Sequence, residues 1–234
     1  MSEIRILSAG AAQAVIERIG ADYTRLTGIA VTGEFSAVGA IRERLMAGAN
    51  ADVIVLTGAL IDELIVAGRI VAGTRADLGK VGTGVAVRAG RAPPDVSSAA
   101  ELKARLLSAG KLVCPDPATA TAGKVVLQVL DQLGISAELR PRMQFFPNGY
   151  AAMRWLSESP GASDIGITQI TEIRANPGVT YAGPLPGELQ VKTVYAAGLA
   201  AGAAEPARAR AFIERLTSSA ARSVLAEAGY EALP

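Results

Sequence analysis

Histidine is absent from this chain of 234 residues, which removes the side chain that most often serves as a general base or metal ligand near neutral pH. A single cysteine, Cys114, excludes an internal disulfide and any thiolate cluster. Aromatic residues make up 4%, and 23 Lys and Arg stand against 22 Asp and Glu, for a formal net charge of +1. Neither stacking platforms nor a basic footprint is therefore available for nucleic acid. No apolar run approaches the roughly 20 residues of a membrane-spanning helix, so direct membrane insertion is not expected. The chain passes from Met1-Ser2-Glu3 straight into the apolar "IRIL" without an export leader. As it stands it reads as cytoplasmic, and as periplasmic if a leader has been removed. Cys114 lies in "KLVCPDP" at the end of an apolar run and, lacking a histidine partner, reads as a buried, inert thiol.

Half of the residues are hydrophobic, enough for well-filled cores. "EIRILSAGAAQAVIERIGADYTRLTG" gives a strand, a small-residue junction and an amphipathic helix closed by Gly28. "IAVTGEF" and "AIRERLMAG" repeat the unit. "ADVIVLTG" is an apolar strand of the kind buried on both faces of a parallel sheet, and "LIDELIVAGRI" is a helix. The long "LGKVGTGVAVRAG" has no immediate helix and reads as a crossover into a second lobe. There "SSAAE" caps a helix, "TAGKVVLQVLDQLG" and "NGYAAMRWLSESPG" are further helices, and "SDIGITQ" is a strand. "GVTYAGPLPGELQVKTVYAAGLA" is a second long extended passage that returns the chain, and two helices end it. The expected fold class is α/β in two lobes, residues 1–83 plus 193–234 and residues 84–192. Each lobe is a mixed, mainly parallel sheet flanked by helices; two hinge strands join them, and a ligand cleft lies between.

Four junctions share one character: "LSAGAAQ", "FSAVGAI", "DPATATAGK" and "FPNGYAA" place small or polar residues at helix N-termini. The first amides of a helix have no intrahelical partner and carry positive partial charge, so four such corners suit a small anion. Ser36 alternatively caps an ordinary turn. Asp116, before Pro117, reads as a residue fixing its loop. Tyr150 and Trp155 read as helix packing, and Arg42, Arg44 and Arg154, each taken singly, as solvated helix surface.

The order of pieces, above all "FSAVGAIRERLMAGANADVIVLT", "DPATATAGK" and "SDIGITQITEI", resembles the molybdate-binding family of type 2 periplasmic substrate-binding proteins, the receptors of ABC importers. The resemblance implies the two-lobed fold and hinge closure over an oxyanion. It implies ligand contacts from Ser8, Ala9, Gly10 and Ala11, from Ser36, Ala37, Val38 and Arg42, from Thr119, Thr121 and Ala122, and from Asn148, Tyr150, Thr168 and Gln169. Where the family presents serines this chain has Ala11 and, near the second loop, Ala37 or Val38; a late-strand tyrosine is replaced by Gln169. The oxyanion-coordinating hydroxyls are largely missing, which argues against molybdate or tungstate. A set of neutral donors with Arg42, whose guanidinium can grip a carboxylate through two bonds, suits a small organic acid.

The partner expected is thus a small anionic ligand, with an ABC permease if the chain is exported. The fold is also similar to that of aconitate isomerase, which implies a second possibility, a cofactor-independent allylic proton shift in an unsaturated tricarboxylate. That reaction needs anchored carboxylates and one acid/base group, for which Glu172, Lys124 and Tyr150 are the candidates. Neither reading calls for a cofactor or a metal.

Overall fold

The computed structural model describes residues 3–233; the expectation drawn from the first residues of the chain lies outside them. The strands are β1 (Glu3–Ala9), β2 (Ala30–Ser36), β3 (Val53–Thr57), β4 (Ala76–Arg88), β5 (Leu112–Pro115), β6 (Met143–Phe146), β7 (Ile165–Gln169), β8 (Val179–Pro184), β9 (Lys192–Leu199) and β10 (Tyr230–Glu231). The helices are α1 (Gln13–Thr27), α2 (Val38–Met46), α3 (Gly58–Val66), α4 (Ala99–Ser108), α5 (Thr121–Gln132), α6 (Ser136–Leu139), α7 (Gly149–Glu158), α8 (Ile170–Arg174), α9 (Pro206–Thr217) and α10 (Arg222–Ala228). Among the described residues no helix is long and apolar enough to cross a membrane. The chain forms two compact units, Met1–Val81 with Thr193–Pro234, and Gly82–Lys192.

In the first unit β1 runs parallel to both β2 and β3, which sets Ala9 beside Ser36 and Ser8 beside Phe35 and Val55. β9 adds antiparallel to β3, with Thr57 opposite Tyr195. Four of the five residues of β3 are buried, because helices cover both faces of the sheet, and only an apolar strand fits there. Ile4, Ile6 and Val53 to Leu56 pack with Ile16 and Ile19 of α1, Ile61 and Leu64 of α3, and Phe212 and Leu216 of α9 in one core. Gly28 stops α1 in the left-handed region, φ 71°, a conformation that costs glycine nothing. The buried carboxylate of Asp52 accepts the amides of Arg5 (2.8 Å) and Ala204 (2.9 Å), tying β1 to the segment that leads into α9.

In the second unit β5 is parallel to β6 and β7, while β4 pairs antiparallel with β7 and with β8. Alternation along the strands divides the core. Val85, Leu112, Cys114, Ile165 and Ile167 face α4 and α5, whereas Ala86 and Val113 face Met153 and Leu156 of α7. Cys114 is fully buried and its thiol is pushed up to about 12 by desolvation, with Asp116 adding to the effect, so the inert reading of this residue holds.

One local expectation changes, and one strand is added. The extended passage after Gly178 is broken by a 3-10 turn, Gly187–Leu189, so β8 belongs to the second unit and nearly all of β9 to the first. "MQFF", which carries no clear period, pairs beside β5 as β6.

Candidate functional site

Because β1, β2 and β3 are parallel, they end at one edge of the first unit's sheet, where a 3-10 turn (Gly10–Ala12) leads into α1 and where α2 and α3 begin. The N-caps of the turn, of α1 and of α2 are Ala9, Ala12 and Ala37, and none has a side chain to hydrogen-bond the first amides. Ser36 lies one residue too early to cap α2 and is half-buried. By contrast α3, which begins at the same edge, is capped by the Thr57 hydroxyl accepting from the Leu60 amide at 3.4 Å, and α4, which starts elsewhere, by the Ser98 hydroxyl accepting from the Glu101 amide at 3.2 Å. An alanine cap forgoes about 1 kcal/mol of helix stability, so the open amides at this edge are a stability cost. Ser8 is fully buried, and its hydroxyl donates to the Ala9 carbonyl at 2.9 Å. Arg42 lies in the second turn of α2 rather than the first and is exposed. Helical side chains lean toward the N-terminus, which directs it over Val38. Its neighbour Arg44 pairs with Glu34 at 2.5 Å.

In the second unit α5, α7 and α8 begin at the ends of the parallel strands β5, β6 and β7. Asp116 fixes the first of these loops, its carboxylate accepting from the Ala118 amide and its carbonyl from the Ala120 amide, each at 2.8 Å. α5 then starts at Ala120 with no side-chain cap. Thr119 and Thr121 are half-buried beside the buried Ala122, and Lys124 points into solvent. α7 differs. The Asn148 side-chain oxygen, Oδ1, accepts from the Ala151 amide at 2.8 Å, and the Gly149 amide donates to the carboxylate of Glu172. Tyr150 is half-buried in the same turn.

Glu172 therefore fills a helix N-terminus that the sequence offers to a ligand. Its carboxylate also accepts from the Thr168 hydroxyl at 2.5 Å and from the Gln169 amide. The group is buried, and desolvation pushes its pKa up to about 7 against the opposing pull of the hydrogen bonds from Thr168, Gly149 and Gln169. All of these donors are neutral. Glycine is required at 149, since a Cβ there would stand 1.9 Å from Glu172 Oε2 and 2.2 Å from Thr168 Oγ1. Thr168 is thus committed to Glu172 on the α7 side of β7.

Gln169 points the other way. It is 2% exposed, and neither its side-chain oxygen nor its nitrogen has a protein partner. Thr83, its register partner on β4, is fully buried with its hydroxyl likewise unpartnered. Sequence reasoning placed Thr83 only in a crossover strand. The alternation Thr83, Val85, Val87 was the available sign that it shares a face with the core, but its pairing with Gln169 needs the register.

Two α/β units, each collecting helix N-termini at the carboxyl ends of parallel strands, define the two-lobed type 2 periplasmic-binding-protein fold. The chain belongs to the bacterial extracellular solute-binding protein family, whose model matches residues 4–231. It is similar to aconitate isomerase from a Pseudomonas species, 26% identical over 246 residues that cover 100% of this chain and 89% of the relative. Among solved structures it is similar to the periplasmic molybdate-binding protein of Azotobacter vinelandii, with a TM-score of 0.79 and 21% identity over 99% of each chain. It is also similar to the sulfate-binding protein SubI of Mycobacterium tuberculosis H37Rv, with a TM-score of 0.75, 19% identity, and coverage of 100% of this chain and 88% of that one.

Proposed function

We propose that this solute-binding protein takes a small organic carboxylate at the carboxyl-end edges of its parallel strands and delivers it to a membrane permease. In the first unit the candidate contacts are the open amides following Ala9 and Ala37, with Ser36 and Arg42; in the second, taken by itself, they are the first turn of α5 with Thr119, Thr121 and Gln169. The observation that carries the reading is the three alanine N-caps, Ala9, Ala37 and Ala120, which leave backbone donors of the turn, α2 and α5 free for an anion, whereas α3 and α7 are capped by Thr57 and Asn148. Alanines at 11 and 37 give no hydroxyls for a tetrahedral oxyanion, and the exposed Arg42 suits the planar fork of a carboxylate.

A thermal-shift and calorimetric screen against citrate, cis- and trans-aconitate, sulfate, phosphate, molybdate and tungstate tests this, because a ligand that binds only the folded state raises the melting temperature. Stabilisation by a carboxylate, weakened in Ser36→Ala and Arg42→Ala, is the expected result. Stabilisation by molybdate or sulfate alone would overturn it.

A second reading, isomerisation of an unsaturated tricarboxylate, is favoured by the likeness to aconitate isomerase over the whole of this chain, with Glu172, a buried carboxyl whose pKa desolvation pushes up to about 7, as the candidate acid/base group. Proton NMR of aconitate with the protein in D2O would then show deuterium entering the ligand or its isomer forming; an unchanged spectrum with bound ligand leaves a receptor.

A further inference from the structure

The face of the second unit's sheet that carries α5 is apolar until its last rung. Val85 lies opposite Ile167, Val87 follows along β4 toward Ile165, and all of these contribute to one core with Val125, Val126 and Val129 of α5. The next rung is Thr83 opposite Gln169. Residues two apart on a strand share a face, so both side chains continue this row. β5 and β7 are parallel, so the row reaches its polar rung at the end where α5 begins, and α5 begins uncapped at Ala120. Three buried polar atoms, Thr83 Oγ1 and Gln169 Oε1 and Nε2, thus have no protein partner at the strand end from which α5 leaves. Buried polar groups are nearly always paired, and an exception needs an explanation.

The backbone of this rung is held firmly. The Gln190 side chain accepts from the Thr83 amide at 2.9 Å and donates to the Thr83 carbonyl at 2.8 Å, so the Thr83 side chain is presented from a fixed frame.

We propose that Thr83 and Gln169, with the first turn of α5, form a specificity subsite for a hydroxyl group borne beside a carboxylate, so that the ligand class is a hydroxy acid. This deepens the carboxylate-binding reading and rests on it. The carboxamide of Gln169 offers a donor and an acceptor together. A fully ionised oxyanion or simple carboxylate brings acceptors only and leaves Gln169 Oε1 unpaired. A hydroxyl donates to Oε1 and accepts from Thr83, while the adjacent carboxylate takes Nε2 and the amides of α5.

Pairs of ligands that differ in one hydroxyl test this directly: malate against succinate, and citrate against tricarballylate, titrated calorimetrically at pH 8 with the full chain. Since a buried group left unpaired is worth about ten- to a hundredfold in affinity, the hydroxy member of at least one pair is expected to bind about tenfold or more tightly. The ratio should fall toward one in Gln169→Leu and decline in Thr83→Val, which replaces an unpartnered hydroxyl with a methyl of the same shape and keeps the strand intact. Equal affinity within both pairs, or a ratio that survives both substitutions, overturns the subsite and leaves the carboxylate reading standing. Binding of sulfate or molybdate without any of the four acids overturns both, as does the binding of none of these ligands.

Discussion

Replacing Glu172 by glutamine should flatten the protein's stability between pH 4.5 and 8. The carboxyl titrates near 7 in the folded state, against 4.5 for an ordinary glutamate. Because the folded form holds the proton more tightly, this contribution is fully present below the unfolded value and is lost as pH rises through about 7. At about 1.4 kcal/mol per pH unit, the folded state is about 3 kcal/mol less stable at pH 8 than at pH 4.5 on account of this group. Glu172→Gln keeps an acceptor for the Gly149 amide, and the Thr168 hydroxyl can turn to meet the new amide, so the variant should fold. Chain composition makes the window clean: there is no histidine to titrate within it, and Cys114 is pushed up to about 12. The assay is urea unfolding at intervals from pH 4.5 to 8, taking the difference between variant and parent at each pH so that all shared titrations cancel. The variant should gain on the parent as pH rises, with most of the change between pH 5 and 7. Parallel curves would refute the burial argument, since a solvated carboxylate would titrate alike in the folded and unfolded states.

Three more outcomes follow from the same packing. Gly149→Ala should cost several kcal/mol, because its Cβ would collide with both Glu172 and Thr168; a denaturation midpoint like the parent's would contradict the placement of Glu172 under α7. Ala37→Asp should cap α2 and stabilise the protein by about 1 kcal/mol while weakening carboxylate binding, whereas Ser98→Ala should lose about as much stability with no change in affinity; melting curves and calorimetry measure both. Iodoacetamide should leave Cys114 unmodified in the native protein at pH 8 and alkylate it only in denaturant, as intact-mass measurement will show.

Local signals made most of the elements legible. Gly28 ends α1, Ser98 caps α4, Asn148 caps α7 and Asp116 fixes its loop, each through bonds that reach no more than four residues along the chain. The alternation of apolar strands with helices of period 3.6 specified an α/β protein, and the small residues after the strands marked where helix amides stay open before the 3-10 turn, α2 and α5, though not before α7, which Asn148 and Glu172 fill. These features are written in short stretches, and a single chain displays them.

Which polar side chains are free was not written there. "SDIGITQITEI" shows Thr168, Gln169, Thr171 and Glu172 within five positions, and nothing in that spacing separates Thr168, spent on Glu172, from Gln169, left unpaired. Strand alternation sends them to opposite faces, and only the packed helices decide what each face meets: the first turn of α7 on one side, the start of α5 on the other. Thr83 joins Gln169 across 86 positions of sequence through the register of β4 on β7, set by the burial of Val85 against Ile167. The sequence by itself determined the elements and the edges where they open. The choice between a satisfied core polar group and a ligand donor was made by tertiary pairing, because a hydrogen bond depends on where the partner stands and not on how near it lies in the chain.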